Sequence, residues 1–256
     1  MMQLEECPPV EYIKRRNQRN LRIRVKSDAI IVSGPWYSTK SQMASFVSDR
    51  QDWIRKTVIK LKKSTAQRND LQEENEGCIL LRGIWTPIVI RKPIPESTKW
   101  YLVERGERVD AYPPDTGLID NMADAVKIND VHSITESTPI KVPKSALETF
   151  SKELAKKELP TYFEQKAAQL PFKWQKLYIR SQKTKWGTCS SKGNISLNWR
   201  LIKCPKHIWD YLIVHELCHT VHMNHSKSFW ELVKKHHSDV DTAHRWLKVD
   251  GNLAFL

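Results

Sequence analysis

Apolar and polar positions change period several times along the chain, and each change marks an expected element. Residues 12–24 alternate apolar side chains with arginines, and 29–32 form an apolar run after Lys26-Ser27-Asp28. Together they read as a β-hairpin, broken by Ser33-Gly34-Pro35. Met43, Phe46, Val47, Ile54, Val58 and Leu61 then supply an apolar helical face. They predict a helix over 38–63, capped by Ser38. Residues 72–77 read as a polar turn, and 78–81, 88–91 and 100–103 as strands. Residues 113–139 have little periodicity and several turn residues, the pattern of a linker or insertion.

The last third is more regular. Pro143 suits the first position of a helix whose apolar stripe is Leu147, Phe150 and Leu154. Pro160 is expected to end or kink it, with 162–170 continuing helically. Residues 177–181 and 195–199 are strand-like. With the turn Ser190-Ser191-Lys192-Gly193 between them, they predict a small antiparallel ribbon. Ile208, Tyr211, Leu212, His215, His219 and His222 recur every three or four residues and so share one helix face. Ser226 can cap a final helix through Phe229, Trp230, Leu232 and Val233, packing the aromatic pair behind the histidines.

The fold expected is α+β. A β-rich basic domain with one long helix covers 1–112, a linker or insertion covers 113–142, and a helical domain on a small antiparallel sheet covers 143–256. Forty per cent hydrophobic residues in 256 suffices for a real core. The net charge of +13 is uneven. Residues 1–68 carry 15 basic and 6 acidic side chains, residues 69–140 carry 7 and 13, and residues 171–256 carry 14 and 6. Basic ends can attract nucleic acid, nucleotides or other polyanions. The cluster Lys14-Arg15-Arg16-Asn17-Gln18-Arg19 can touch phosphates, yet it contains no aromatic to stack a base. It therefore reads as a strand edge blunted by charge. Five scattered cysteines suggest reduced thiols. The first residues lack the apolar run of a signal peptide, and no apolar run is long enough for a bilayer. The expectation is a cytoplasmic protein with no membrane partner.

The densest chemistry is His215-Glu216-Leu217-Cys218-His219. Histidines four apart on a helix lie about 6 Å apart along the axis, so their imidazoles can converge on one tetrahedral metal. Glu216 is rotated about 100° from His215, beside the metal rather than on it, where it can take a proton from bound water. A third ligand is required. His222 lies about 10 Å from His215 on a continuing helix, too far to share the ion. His225 can swing under the pair if the chain turns back after Met223, with Asn224 in the left-handed conformation. The expected metal ligands are therefore His215, His219 and His225, with water in the fourth position and Zn2+ as cofactor. A structural zinc site using Cys218 is the competing reading, although Cys218 faces a different side of the helix.

The stretch 215–219, followed by Asn224-His225-Ser226 and Phe229-Trp230, resembles the YgjP-like zinc metallopeptidases, zincins related to the SprT-like and WLM families. Residues 180–190 and Asn194-Ile195-Ser196-Leu197-Asn198 resemble that family too. Metzincins share the spacing to the third histidine but carry glycine where this chain has His222. The resemblance implies a zincin-like C-terminal domain that hydrolyses peptide bonds, with Glu216 as general base and a peptide or protein substrate. A substrate strand is expected along the edge 194–198. Candidate substrate contacts are Arg180, Trp186, Asn194, Ser196, Tyr211 and His222, with Arg180, Tyr211 and His222 also considered as oxyanion stabilisers. Two other functions compete: a zinc hydrolase of nucleotides or other phosphorylated substrates, and a DNA-associated protease of SprT type.

Overall fold

A computed structural model describes residues 7–26, 28–115, 126–127 and 141–255. Compactness divides the chain after Glu74, whereas the sequence boundaries fall at 112 and 142. Most of the expected linker lies outside the described residues.

The first unit holds three strands, β1 (Val10–Arg15), β2 (Arg22–Val25) and β3 (Ile30–Pro35), in the order β1-β3-β2. β2 and β3 form the hairpin, with Lys26 N–H donating to the Ala29 carbonyl at 2.9 Å. β1 is a separate strand parallel to β3, so the hairpin expected from residue 12 onward begins only at Arg22. Gly34 and Pro35 do not break β3; they finish it. The expected single helix is two: α1 (Lys40–Ser48) and α2 (Gln51–Glu74). Thr39, not Ser38, caps α1. Its hydroxyl accepts from Gln42 N–H, and the Gln42 side chain accepts from Thr39 N–H. Ile30, Val32, Met43, Ile54 and Val58 form the core of this unit.

The second unit opens with a hairpin of β4 (Cys78–Leu81) and β5 (Ile84–Ile90). Arg82 and Gly83 turn it at positive φ. β6 (Tyr101–Arg105) and β7 (Arg108–Tyr112) complete the order β4-β5-β7-β6, and β8 (Val126–Lys127) pairs with β5. The sheet is tied to the C-terminal part of the unit. Arg82 N–H donates to Ile202 O at 2.6 Å, and its guanidinium holds both Glu104 and Glu158. That tie, with Phe150 in the sheet's core, explains why residues 78–112 pack with the C-terminal helices.

α3 (Lys144–Ala167) continues past Pro160 rather than ending there. Pro160 leaves the carbonyl of Lys156 without an in-helix donor, but Lys156 is exposed, where water can serve instead. A second small sheet comes next: β9 (Leu177–Arg180), β10 (Gly187–Cys189) and β11 (Ile195–Asn198), in the order β10-β11-β9. The ribbon is β10–β11, with the turn at 190–193, and β9 lies parallel to β11 on its other side. The sheet is therefore mixed rather than wholly antiparallel, within an α+β fold. α4 (Lys206–Cys218), α5 (Lys227–His236) and α6 (Val240–Val249) close the unit. α4 is buried on nearly every side, with Ile208, Ile213, Val214, Leu217 and Cys218 fully inside. Such a helix presents its polar side chains only where the fold leaves a gap. Among the described residues no helix is long and apolar enough to cross a membrane.

Candidate metal centre

α4 ends at Cys218, with His219 as its C-cap, earlier than the histidine spacing suggests. Thr220 Oγ1 and N–H both donate to Leu217 O, while Val221 and His222 N–H donate to Cys218 O. These bonds satisfy carbonyls that a helix end leaves open. Asn224 is not left-handed; the turn-back begins five residues earlier than expected. The consequence for His225 is the expected one, because the shortened helix lets the chain return beneath its own last turn.

His215, His219 and His225 are brought together, with one nitrogen of each within 4.8 Å of the others. His225 Nε2 lies 3.2 Å from His215 Nε2. A zinc ion bound tetrahedrally by nitrogens at ~2.0–2.1 Å separates them by about 3.3 Å, so the pair fits such an ion. His219 Nδ1 is 2.9 Å from the His222 carbonyl. A carbonyl can only accept, so Nδ1 carries the proton and Nε2 keeps its lone pair. Burial, then the neighbouring histidines, pulls His215 down to about 3 and keeps it neutral. Burial lowers His219 too. Neutral imidazoles are the form that binds metals.

Aromatic rings hold the histidines. Phe229 of α5 stacks on His219 with centroids 4.4 Å apart, and Trp230 stacks on His225 at 5.5 Å. Ser226 caps α5 through Phe229 N–H, which sets the start of the helix that carries both rings.

Glu216 is 4% exposed, and among the described residues its Oε2 has no hydrogen-bond partner. Burial pushes its carboxyl up to about 8, against a small opposing pull from Lys185. A buried, unpartnered carboxylate oxygen is costly unless something arrives to meet it. Gly187 on β10 makes room for it, since a Cβ there would stand 2.4 Å from Glu216 Oε1. This gives the glycine of the Trp186-Gly187 pair a reason that the sequence alone does not supply.

A family model for the YgjP-like metallopeptidase domain matches residues 19–250, most of the chain. The chain belongs to that family. It is accordingly a peptidase, a hydrolase acting with a metal ion. No curated protein matches it. The crystal structure of the metallopeptidase zymogen of Pyrococcus abyssi abylysin is 25% identical to it. That likeness covers 40% of this chain and 94% of the other, with a TM-score of 0.26, too low to bear on the fold.

The other expected residues of this YgjP-like chain are differently placed. β11 is hydrogen-bonded on both sides, so 194–198 is not an edge. Ser196 is buried and Asn194 lies in the turn before β11; neither lies on a free edge. Among the described residues the free edge beside Glu216 is β10, at Gly187–Cys189. Trp186 packs on Phe255 at 5.3 Å against the core. Arg180 is exposed over the Tyr178 ring at 5.0 Å, outside the histidine cluster. His222 meets the cluster through its carbonyl rather than its ring. Tyr211 is buried, with its hydroxyl 3.2 Å from His215 Nδ1 and 2.5 Å from His244 Nε2. From sequence, His244 reads as a surface or core residue. Only α6 packing on α4 brings it here. Cys218 is buried and does not join the three histidines that converge.

Proposed function

We propose that this chain is a zinc peptidase in which His215, His219 and His225 bind the ion and Glu216 is the general base. The observation that carries this is the desolvated carboxylate beside three converging imidazoles. A zinc ion held there would lower the pKa of a water molecule and polarise a scissile carbonyl. Glu216, buried and next to His215 on α4, would accept a proton from that water as a carboxylate and pass it to the leaving amine. His215 must keep its Nε2 lone pair for the ion, so Nδ1 carries its proton and donates to the Tyr211 oxygen. The Tyr211 hydroxyl then donates to His244 Nε2. Burial pushes the Tyr211 hydroxyl upward, so it keeps the proton it needs. Tyr211 and His244 thus orient His215. An extended peptide would add to the free edge of β10 through main-chain hydrogen bonds, which favour a strand without demanding a sequence.

The test is hydrolysis of a mixed peptide library alongside nucleoside triphosphates. Peptide cleavage that a chelator stops and zinc restores supports the reading. Turnover of nucleotides alone supports the rival phosphate hydrolase. Two variants probe the details. Gly187→Ala is expected to cut peptide cleavage roughly 100-fold with metal retained, because the new methyl must displace the base. Tyr211→Phe removes only a hydroxyl and is expected to weaken zinc binding roughly 10–100-fold. A competition titration against a chromogenic chelator measures it.

A further inference from the structure

The expected strand-edge role fits Lys14 and Arg15, on the edge strand β1, but not every arginine of the cluster. β1 and β3 are parallel and end together, with Arg15 opposite Pro35. β2 starts at the same end, with Arg22 opposite Ser33. Arg16 and Arg19 therefore lie in the loop beyond the strands, where they blunt no edge. That loop is pinned. Gln18 Nε2 donates to Asn20 O at 2.6 Å and Ser33 O at 2.7 Å, and Leu21 packs over Gly34 so closely that a Cβ there would meet it at 2.5 Å.

The pinned loop lines a cleft of about 470 Å3 with Arg15, Arg19, Arg22, Asn17, Gln18 and Asn20. No carboxylate lines it, and Arg15, Arg19 and Arg22 form no ion pair among the described residues. The chain leaves β3 at this same end, directly into Trp36 and Tyr37. These rings are 63% and 65% exposed and meet edge to face at 5.9 Å. The basic cluster itself contains no aromatic. Folding supplies two, one and two residues beyond the strand partner of Arg15.

We propose that this end of the first sheet is a binding site for single-stranded nucleic acid. The guanidinium groups match phosphodiester oxygens, and Trp36 and Tyr37 offer faces on which unpaired bases stack. Asn17 and Asn20 add amides able to meet base edges. A duplex keeps its bases stacked inside and can use only the arginines. This proposal stands apart from the peptidase reading.

The test is fluorescence anisotropy of the full chain with labelled oligothymidine, against a duplex of equal length and vesicles containing anionic lipid. The single strand is expected to bind at least tenfold more tightly than the duplex. Its log affinity should fall with log salt at a slope of about −2, as three phosphate contacts require. Trp36→Ala with Tyr37→Ala is expected to lower that affinity roughly tenfold and leave the salt slope unchanged. Arg15→Ala with Arg19→Ala and Arg22→Ala is expected to flatten the slope. All five residues lie in the first unit, so circular dichroism and thermal melting of each variant serve as the control for folding. Equal affinity for both DNA forms, indifference to loss of the two rings, preference for vesicles, or no binding at low salt overturns the proposal.

Discussion

Glu216→Gln is expected to reduce peptide cleavage roughly 1000-fold without lowering the metal content. Glutamine has nearly the same shape and can fill the pocket beneath Gly187, so neither the fold nor the histidine cluster needs to move. What disappears is the group that accepts a proton. Glu216 ends in a buried oxygen without a partner among the described residues, an arrangement that costs stability. The variant should therefore be more stable than the wild type in the absence of metal, because a neutral amide is cheaper to bury than a carboxylate. Thermal melting of the two apo-proteins measures this, alongside a single-turnover peptide assay. Full activity in the variant would remove Glu216 from the chemistry.

His225→Ala is expected to weaken zinc binding by more than roughly 100-fold, beyond the loss of an outer partner. Peptide cleavage should fall with it. His225 is exposed, so its removal opens no cavity in the core and the fold should persist, as circular dichroism would verify. His222→Ala is the informative companion. The ring at 222 is the nearest rival in the sequence, but it is the 222 carbonyl that meets His219 Nδ1. A backbone group survives the substitution, so His222→Ala should retain zinc. Loss of zinc in His222→Ala with retention in His225→Ala would reverse the assignment.

Much of the histidine cluster is legible in the sequence because it is local. Two histidines four apart on a helix face one way whatever surrounds them, and a third nearby has few places to go. The turn that delivers the third is less legible. Helix ends depend on which carbonyls find donors, and Thr220 closes the helix early through its hydroxyl. Asn224 offers the more obvious signal and is not used.

The features that periodicity does not reveal depend on pairing between distant segments. Tyr211 meets His244 only because α6 packs on α4, thirty-three residues away. Strand order is likewise invisible in the alternation of side chains. Residues 195–198 read equally well as an edge or a centre, and β9 arriving on the far side decides the matter. The first sheet repeats the lesson, since β1 skips its neighbour in sequence to pair with β3. Pro160 does not end its helix. Its cost to a helix is local, but burial of Phe150, Ala155, Leu159, Phe163 and Ala167 along one face outweighs it.

X-ray absorption at the zinc edge, on natively purified protein, reads the ligand atoms themselves. Three histidine ligands and a water give a zinc shell of nitrogen and oxygen only, at ~2.0–2.1 Å, with outer scattering from three imidazoles. A sulfur scatterer at ~2.3 Å, or protein that neither holds nor takes up zinc, would contradict it.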